Sequence, residues 1–355
     1  MPVRFAIGSS ATRWSRSGVL FAVGFFALFV QALLFRSFLS VFEGNELAIA
    51  GFFSSWLFWT GVGALAARIS QKSLPILRRR FTLFVLLYVP ACLLQDTLIG
   101  ASREIAGVRS YELFPLLKML PYAFVLNAPV SFCTGLFFTI ACGWAEETVA
   151  TPVARVYILE SLGGAAGGVV VTLLLSFGMA EESAFLCAAI LLSLAAGLDF
   201  WMEKRNPLLL LLPVAFVGLV LSGGAARWER MAERRAWSRL IPAESYRGSF
   251  ATPQGRYLYG DYRGQFTVVT RESITDTIPS VEYASQVAAI HLAQRPDSRR
   301  FLVAGPQAFS ICRRLLTLPQ AETVVWLDTD PRYAARLLEV LPKDLAGDLR
   351  RIRIP

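Results

Sequence analysis

The sequence is poor in histidine and in charge. His291 is its one histidine, which excludes a histidine-rich metal centre. Only 17% of residues are Asp, Glu, Lys or Arg, where a soluble domain carries about a quarter. Most of that charge follows Arg227. A chain dissolved in water along its whole length does not look like this, and two parts in different solvents do. Cysteine is equally uninformative as chemistry. Cys92, Cys133, Cys142, Cys187 and Cys312 lie in apolar stretches with no CxxC spacing, so no disulfide framework or thiolate metal site can be read. They are predicted to be small packing residues.

What the chain has in quantity is apolar sequence: 55% of its 355 residues, with a mean hydropathy of +0.50. One helix needs about 20 mostly apolar residues to cross a bilayer core. Runs near 17–35, 46–67, 81–100, 113–143, 154–179, 183–201 and 207–222 predict about seven spans. The first is longer than a signal-peptide core and further spans follow it, so it reads as a span rather than a cleaved leader. The 113–143 run is too long for one straight helix. Pro121 and Pro129 predict a bent helix there, or two half-helices.

The net charge of +9 points to membrane topology and anionic lipid rather than to nucleic acid, because the arginines sit beside apolar runs. Arg4, Arg13 and Arg16 precede the first span. Lys72 and Arg78 to Arg80 follow the second, while the loop near Glu43 and Glu46 has little positive charge beyond Arg36. This puts the N-terminus in the cytoplasm. Seven spans then put the C-terminal part outside, whereas Arg227, Arg230, Arg234, Arg235 and Arg239 vote for inside. The two arguments conflict.

Four ionisable residues, Asp96, Lys118, Glu160 and Asp199, fall in or near spans, where a central charge costs about 2.5–3.5 kcal/mol. A transporter brings such groups together at mid-membrane depth; a simple anchor leaves them to snorkel at span ends. Gly163 with Gly167, and Gly164 with Gly168, form two overlapping GxxxG pairs that suit close helix packing.

After the membrane part, 225–240 alternates arginines with Trp228 and Trp237, as a basic amphipathic helix on a membrane surface or a plain charged linker does. Tyr257 to Tyr262 and Gly264 to Thr270 read as two strands joined by a turn at Asp261–Gly264, and 281–294 reads as a helix. Arg300 to Gly305 reads as a buried strand ending in glycine, Ala308 to Leu318 as a helix, and Thr323 to Asp330 as a second buried strand ending in acid. The acid lies about 20 residues past the glycine turn, the spacing at which nucleoside-binding βαβ units hold a ribose. Asp328 is the candidate; the competing role for Asp328 and Asp330 is to cap the helix at 333–341.

Residues 243–342 resemble the spermidine synthase (polyamine aminopropyltransferase) family in its membrane-fused bacterial form. The resemblance rests on Glu244-Ser-Tyr246, the helix from Val281-Glu-Tyr283 to His291, the strand Phe301 to Gly305, and Leu327-Asp-Thr-Asp330-Pro331. In the membrane part it rests on Arg155-Val-Tyr157 running into Glu160-Ser-Leu-Gly-Gly-Ala-Ala-Gly-Gly168. It implies a bacterial inner-membrane protein with an α-helical polytopic bundle followed by a partial α/β, Rossmann-like domain: a tail at 1–16, a bundle at 17–222, a basic linker at 223–242 and the α/β part at 243–355. It also implies that Gly305, Asp328 and Asp330 line a site for decarboxylated S-adenosylmethionine or methylthioadenosine. The family's glycine-rich turn is Gly305-Pro-Gln-Ala-Phe-Ser310 here, with Phe309 where a backbone should approach ligand. The chain also stops at Pro355, before the position of the family's catalytic aspartate. The expectation is a degenerate domain that binds a nucleoside or a partner chain, the partner pairing with a sheet edge near 351–355, without catalysis of its own. The other two readings are an active membrane-anchored aminopropyltransferase and a small-solute transporter with a regulatory tail.

Overall fold

The computed structural model describes residues 10–42, 44–70, 74–108, 112–145, 151–203, 207–270, 273–306 and 308–354. Arg4, Glu43, Lys72 and Gln307, and the side chain of Arg13, lie outside the described residues. The chain divides into two compact units, one essentially 1–229 and the other 230–355 together with 176–178.

The first unit is helical: α1 (Ser10–Val41), α2 (Glu46–Ile69), α3 (Leu74–Arg79), α4 (Phe81–Phe84), α5 (Tyr88–Ile105), α6 (Leu116–Leu126), α7 (Ala128–Ala145), α8 (Pro152–Ser176), α9 (Glu181–Met202) and α10 (Leu211–Leu221), followed by the start of α11 (Gly224–Ser238). Among the described residues, six stretches are long and apolar enough to cross a membrane: Trp14–Val41, Glu46–Ile69, Phe81–Ile105, Leu116–Ala145, Pro152–Ser176 and Glu181–Met202. Pro207–Leu221 and Gly224–Ser238, bent by 68°, make a seventh only if counted together. The short α10 runs back along α9. Leu210 meets Gly197 near one end of α9, and the Trp228 ring meets Phe185 near the other at 5.9 Å. By Trp228 the chain has therefore returned to the end of α9 away from Asp199.

The long fourth run is two helices, broken at Asn127. Pro121 lies inside α6 and Pro129 in the first turn of α7. The break frees backbone groups that a hydrocarbon medium cannot solvate. Gln95 Oε1 accepts the Val130 N–H at 2.9 Å, and Gln95 Nε2 donates to Asn127 Oδ1 at 2.8 Å. Asn127 Nδ2 donates to the Phe52 carbonyl at 2.8 Å and to Ser55 Oγ at 3.0 Å. The prolines thus make the kink and two buried amides satisfy it.

Glycine sets the closest helix approaches. A methyl group on Gly163 would collide with the Phe21 carbonyl of α1, one on Gly167 with that of Phe25, and one on Gly24 with that of Glu160. The pair Gly164 and Gly168 meets α1 at ordinary contact distance. α2 and α7 approach in the same way, Gly63 against the Phe132 carbonyl and Gly135 against that of Thr60.

The second unit begins in the C-terminal half of α11. β1 (Tyr246–Thr252), β2 (Gly255–Tyr262), β3 (Gln265–Thr270) and β4 (Ser273–Ile278) form an antiparallel meander. The β2–β3 hairpin turns on Arg263 and Gly264, at φ +51° and +77°, the left-handed pair that a tight hairpin needs. α12 (Val281–Gln294), β5 (Arg300–Ala304), α13 (Phe309–Leu316), β6 (Thr323–Leu327), α14 (Tyr333–Val340) and α15 (Lys343–Arg351) follow. β5 and β6 pair in parallel, and Arg353 continues the sheet beside Val325 on the far side of β6. Residues near 353 thus join the sheet through β6, with Trp326 N–H donating to the Arg353 carbonyl at 2.9 Å.

One core joins the two sheets: Phe250, Tyr257, Phe266 and Ile278 from the meander meet Phe301, Phe309, Trp326 and Tyr333. The other face of the meander, at Leu258 and Val269, is covered by Trp237 and Ile241. The stripe of α11 read as a membrane-surface face is thus in part a sheet-packing face. Trp237 is fully buried and donates Nε1–H to Ser245 Oγ at 3.0 Å, and the Glu233 carboxylate holds Arg256, Tyr246 and Ser249.

Candidate functional site

Parallel pairing brings Ala304 opposite Leu327, so Gly305 and Asp328 emerge side by side at the carboxyl ends of β5 and β6. Gly305, at φ +151°, has a backbone that side-chain-bearing residues rarely adopt. Its N–H donates to the Leu327 carbonyl at 3.0 Å, and its carbonyl accepts Trp326 Nε1–H at 3.0 Å. Among the described residues, its two chain neighbours apart, no atom lies within 4 Å of where a Cβ would stand on Gly305, so that side is open to them. Phe309 does not fill that space: its side chain is wholly buried in the core, because α13 turns it inward with Cys312 and Leu315.

The two acids of the second strand divide their labour. Asp330 is buried, 2% exposed, and its acceptors are used: Oδ2 takes the hydroxyls of Thr252 and Tyr257, the latter at 3.0 Å, and Oδ1 takes the Arg332 N–H at 3.1 Å. Asp330 is a tie between the β1–β2 hairpin and the turn into α14, so the capping role applies to it. Asp328 is only partly buried; its Oδ1 accepts the Asp330 N–H at 2.7 Å, which fixes the turn and holds the carboxylate at the mouth of the site.

Beneath this mouth lies a group with no obvious sequence signal. Asp276 of β4 is 7% exposed and its Oδ2 has no hydrogen-bond partner. Burial pushes its carboxyl up to about 8, against a pull from the Thr277 amide and with a push from the Asp328 charge. The Tyr333 hydroxyl faces this carboxyl and pulls weakly against the effect of burial, and burial, then the Asp276 charge, raises that phenol well above its ordinary value. Burial, then the hydrogen bond to Asp330, likewise raises Tyr257. Burial holds the Cys312 thiol at about 12, so it is no nucleophile. The one clue in the sequence was an acid at an inward position of Ser273-Ile-Thr-Asp-Thr-Ile278.

The intramembrane candidates do not converge. Asp96 accepts Ser37 Oγ–H at 3.0 Å on the bundle exterior. Lys118 donates to the Ala106 carbonyl at 2.8 Å, where α5 ends. Glu160 sits against Gly24, 13 residues before Ser37 on α1, or about 20 Å at 1.5 Å per residue. The mid-membrane cluster a transporter requires is not formed by these three. Glu160 is partly buried, and its Oε1 is buried without a hydrogen-bond partner. Asp199 is fully buried, accepting from Ser15 and from Thr82 Oγ1 at 2.8 Å, with Arg16 and Glu203 paired beside it at 3.2 Å. Among the described residues no group of three His, Cys, Asp or Glu side chains can hold a metal ion.

Compared with known proteins, the chain matches no family model, no curated protein and no solved structure.

Proposed function

We propose that this chain is a multi-pass protein of a bacterial inner membrane whose extramembrane unit is a degenerate relative of spermidine synthase, with the first half of a Rossmann-like sheet. It binds a nucleoside of the decarboxylated S-adenosylmethionine or methylthioadenosine type and does not itself transfer an aminopropyl group. One observation carries this reading: an open glycine and an accessible carboxylate stand next to each other at the carboxyl ends of two parallel strands. That is where α/β sheets take ligands. Asp328 accepts the ribose hydroxyls and Gly305 lets the nucleoside lie close to backbone. Asp330 is excluded as a ligand by its three internal bonds.

The test is equilibrium titration of the purified full chain with decarboxylated S-adenosylmethionine and with methylthioadenosine. Saturable binding lost in Asp328→Ala and kept in Asp330→Asn supports the proposal; absence of binding at millimolar ligand refutes it. Turnover of the first ligand with a polyamine supports instead the active aminopropyltransferase.

A partner chain is the second reading, favoured by the outer face of the parallel pair. Leu302 is 66% and Leu327 43% exposed, although they lie in strands whose neighbours Phe301 and Trp326 are buried. A partner chain packing on this face covers both leucines.

A further inference from the structure

Among the described residues of the bundle, Glu160 carries the one carboxylate oxygen that is buried without a hydrogen-bond partner. α8 presses its backbone onto α1 at Gly24, a contact only glycine permits. Eight residues separate Glu160 from the start of α8 at Pro152, or about 12 Å along a helix long and apolar enough to cross a membrane. Its Oε1 is sealed from solvent and makes no hydrogen bond. The nearest basic residue on its own helix, Arg155, is turned to Ser17 Oγ at 2.8 Å. The titratable groups facing this region are Tyr88 of α5, within electrostatic reach of Glu160, and Cys133 of α7, within reach of Tyr88; the α1 face there offers Phe21, Gly24 and Phe25.

A carboxylate at such depth without a cation is expensive, and an apolar side chain would serve packing better. A divalent ion needs six or so oxygen ligands, and the described residues assemble no acidic cluster for one. We propose that Glu160 is a proton-binding site in the interior of the bundle, taking up and releasing a proton at its carboxyl oxygen. This stands apart from the nucleoside reading, since no residue is shared between the two sites.

Dicyclohexylcarbodiimide tests it on the full chain in lipid nanodiscs. The reagent enters lipid and reacts with protonated carboxyls: the acid O–H adds across one C=N bond, and the O-acylisourea rearranges to a stable N-acylurea with nothing leaving. The expected result is an adduct, found by peptide mass spectrometry, on Glu160 at neutral pH. Its rate of formation falls as the medium is made alkaline, and it is lost in Glu160→Gln. A folded wild-type protein that stays unmodified at Glu160, or that is modified at Asp96 instead, overturns the proposal; because the wild type carries this readout, a variant that misfolds does not blunt it.

Discussion

The two units solve the same problem, where to put backbone and polar atoms, with opposite materials. The bundle brings helices together by removing side chains: Gly24, Gly63, Gly135, Gly163 and Gly167 let carbonyls of neighbouring helices approach to where a methyl group would stand. The extramembrane unit brings sheets together by adding side chains, with Phe250, Tyr257, Phe309, Trp326 and Tyr333 filling one core. Lipid offers no reward for burying apolar surface between helices, so close backbone packing must do the work, whereas water rewards every large aromatic buried. The same apolar residue therefore means different things on the two sides of residue 230.

This contrast can be broken by exchanging the materials. Gly135→Leu drives a side chain into the Thr60 carbonyl of α2, and Gly163→Leu drives one into that of Phe21. Neither helix can yield without parting from its neighbour, so each variant is expected to abolish the monodisperse, detergent-stable form seen by size-exclusion chromatography. A leucine at Gly61, where no atom lies within 4 Å, is expected to change nothing. In the second unit the largest loss comes from Trp237→Ala, which empties the space between α11 and the meander and is expected to cost about 3–5 kcal/mol. Correspondingly, a soluble fragment beginning at 230 should unfold cooperatively in urea with a clearly higher midpoint than one beginning at 243, because only the longer one contains Glu233 and Trp237.

Asp276 gives a pH-dependent effect of intermediate size. Its carboxyl, at about 8 in the folded protein against 3.8 ordinarily, holds a proton that the unfolded chain has already released. The folded state then binds more protons than the unfolded one between those values, so stability falls as pH rises through that window and levels off above it. Thermal melts of the extramembrane fragment at pH 5 to 9 are expected to show this slope, and Asp276→Asn to flatten it. The smallest change expected is Gln95→Leu. It leaves the Val130 N–H and the Asn127 Oδ1 bond unmade, worth about 0.6–2 kcal/mol in a membrane bundle, measurable as reduced resistance to sodium dodecyl sulfate.

How far the sequence reached follows the same division. Apolar runs located six crossings, because length and hydropathy are all that a span requires. They could not decide the seventh, since Pro207–Leu221 is short and completed only by a bent partner. The GxxxG pairs announced close packing, but not that α1 is the partner or that Gly24 answers them. Gln95 and Asn127 passed unnoticed as single polar residues in oily runs; their role exists only once the break at Asn127 has been made. In the second unit β5 and β6 were legible as apolar runs closed by turn residues, and 281–294 as a helix. β1 and β4 were not, since Ser, Thr, Arg and Asp dilute their pattern. Spacing singled out Asp328 for the ribose but left Asp330 a site candidate as well, and only Thr252 and Tyr257, some 75 residues away in sequence, show Asp330 to be an internal tie.

The most direct measurement is the simplest: washing cell membranes with alkaline carbonate, then following the full chain by immunoblot. An integral bundle is expected to stay wholly in the membrane pellet and to enter solution only with detergent. Recovery of the protein in the carbonate supernatant would contradict the account at its root.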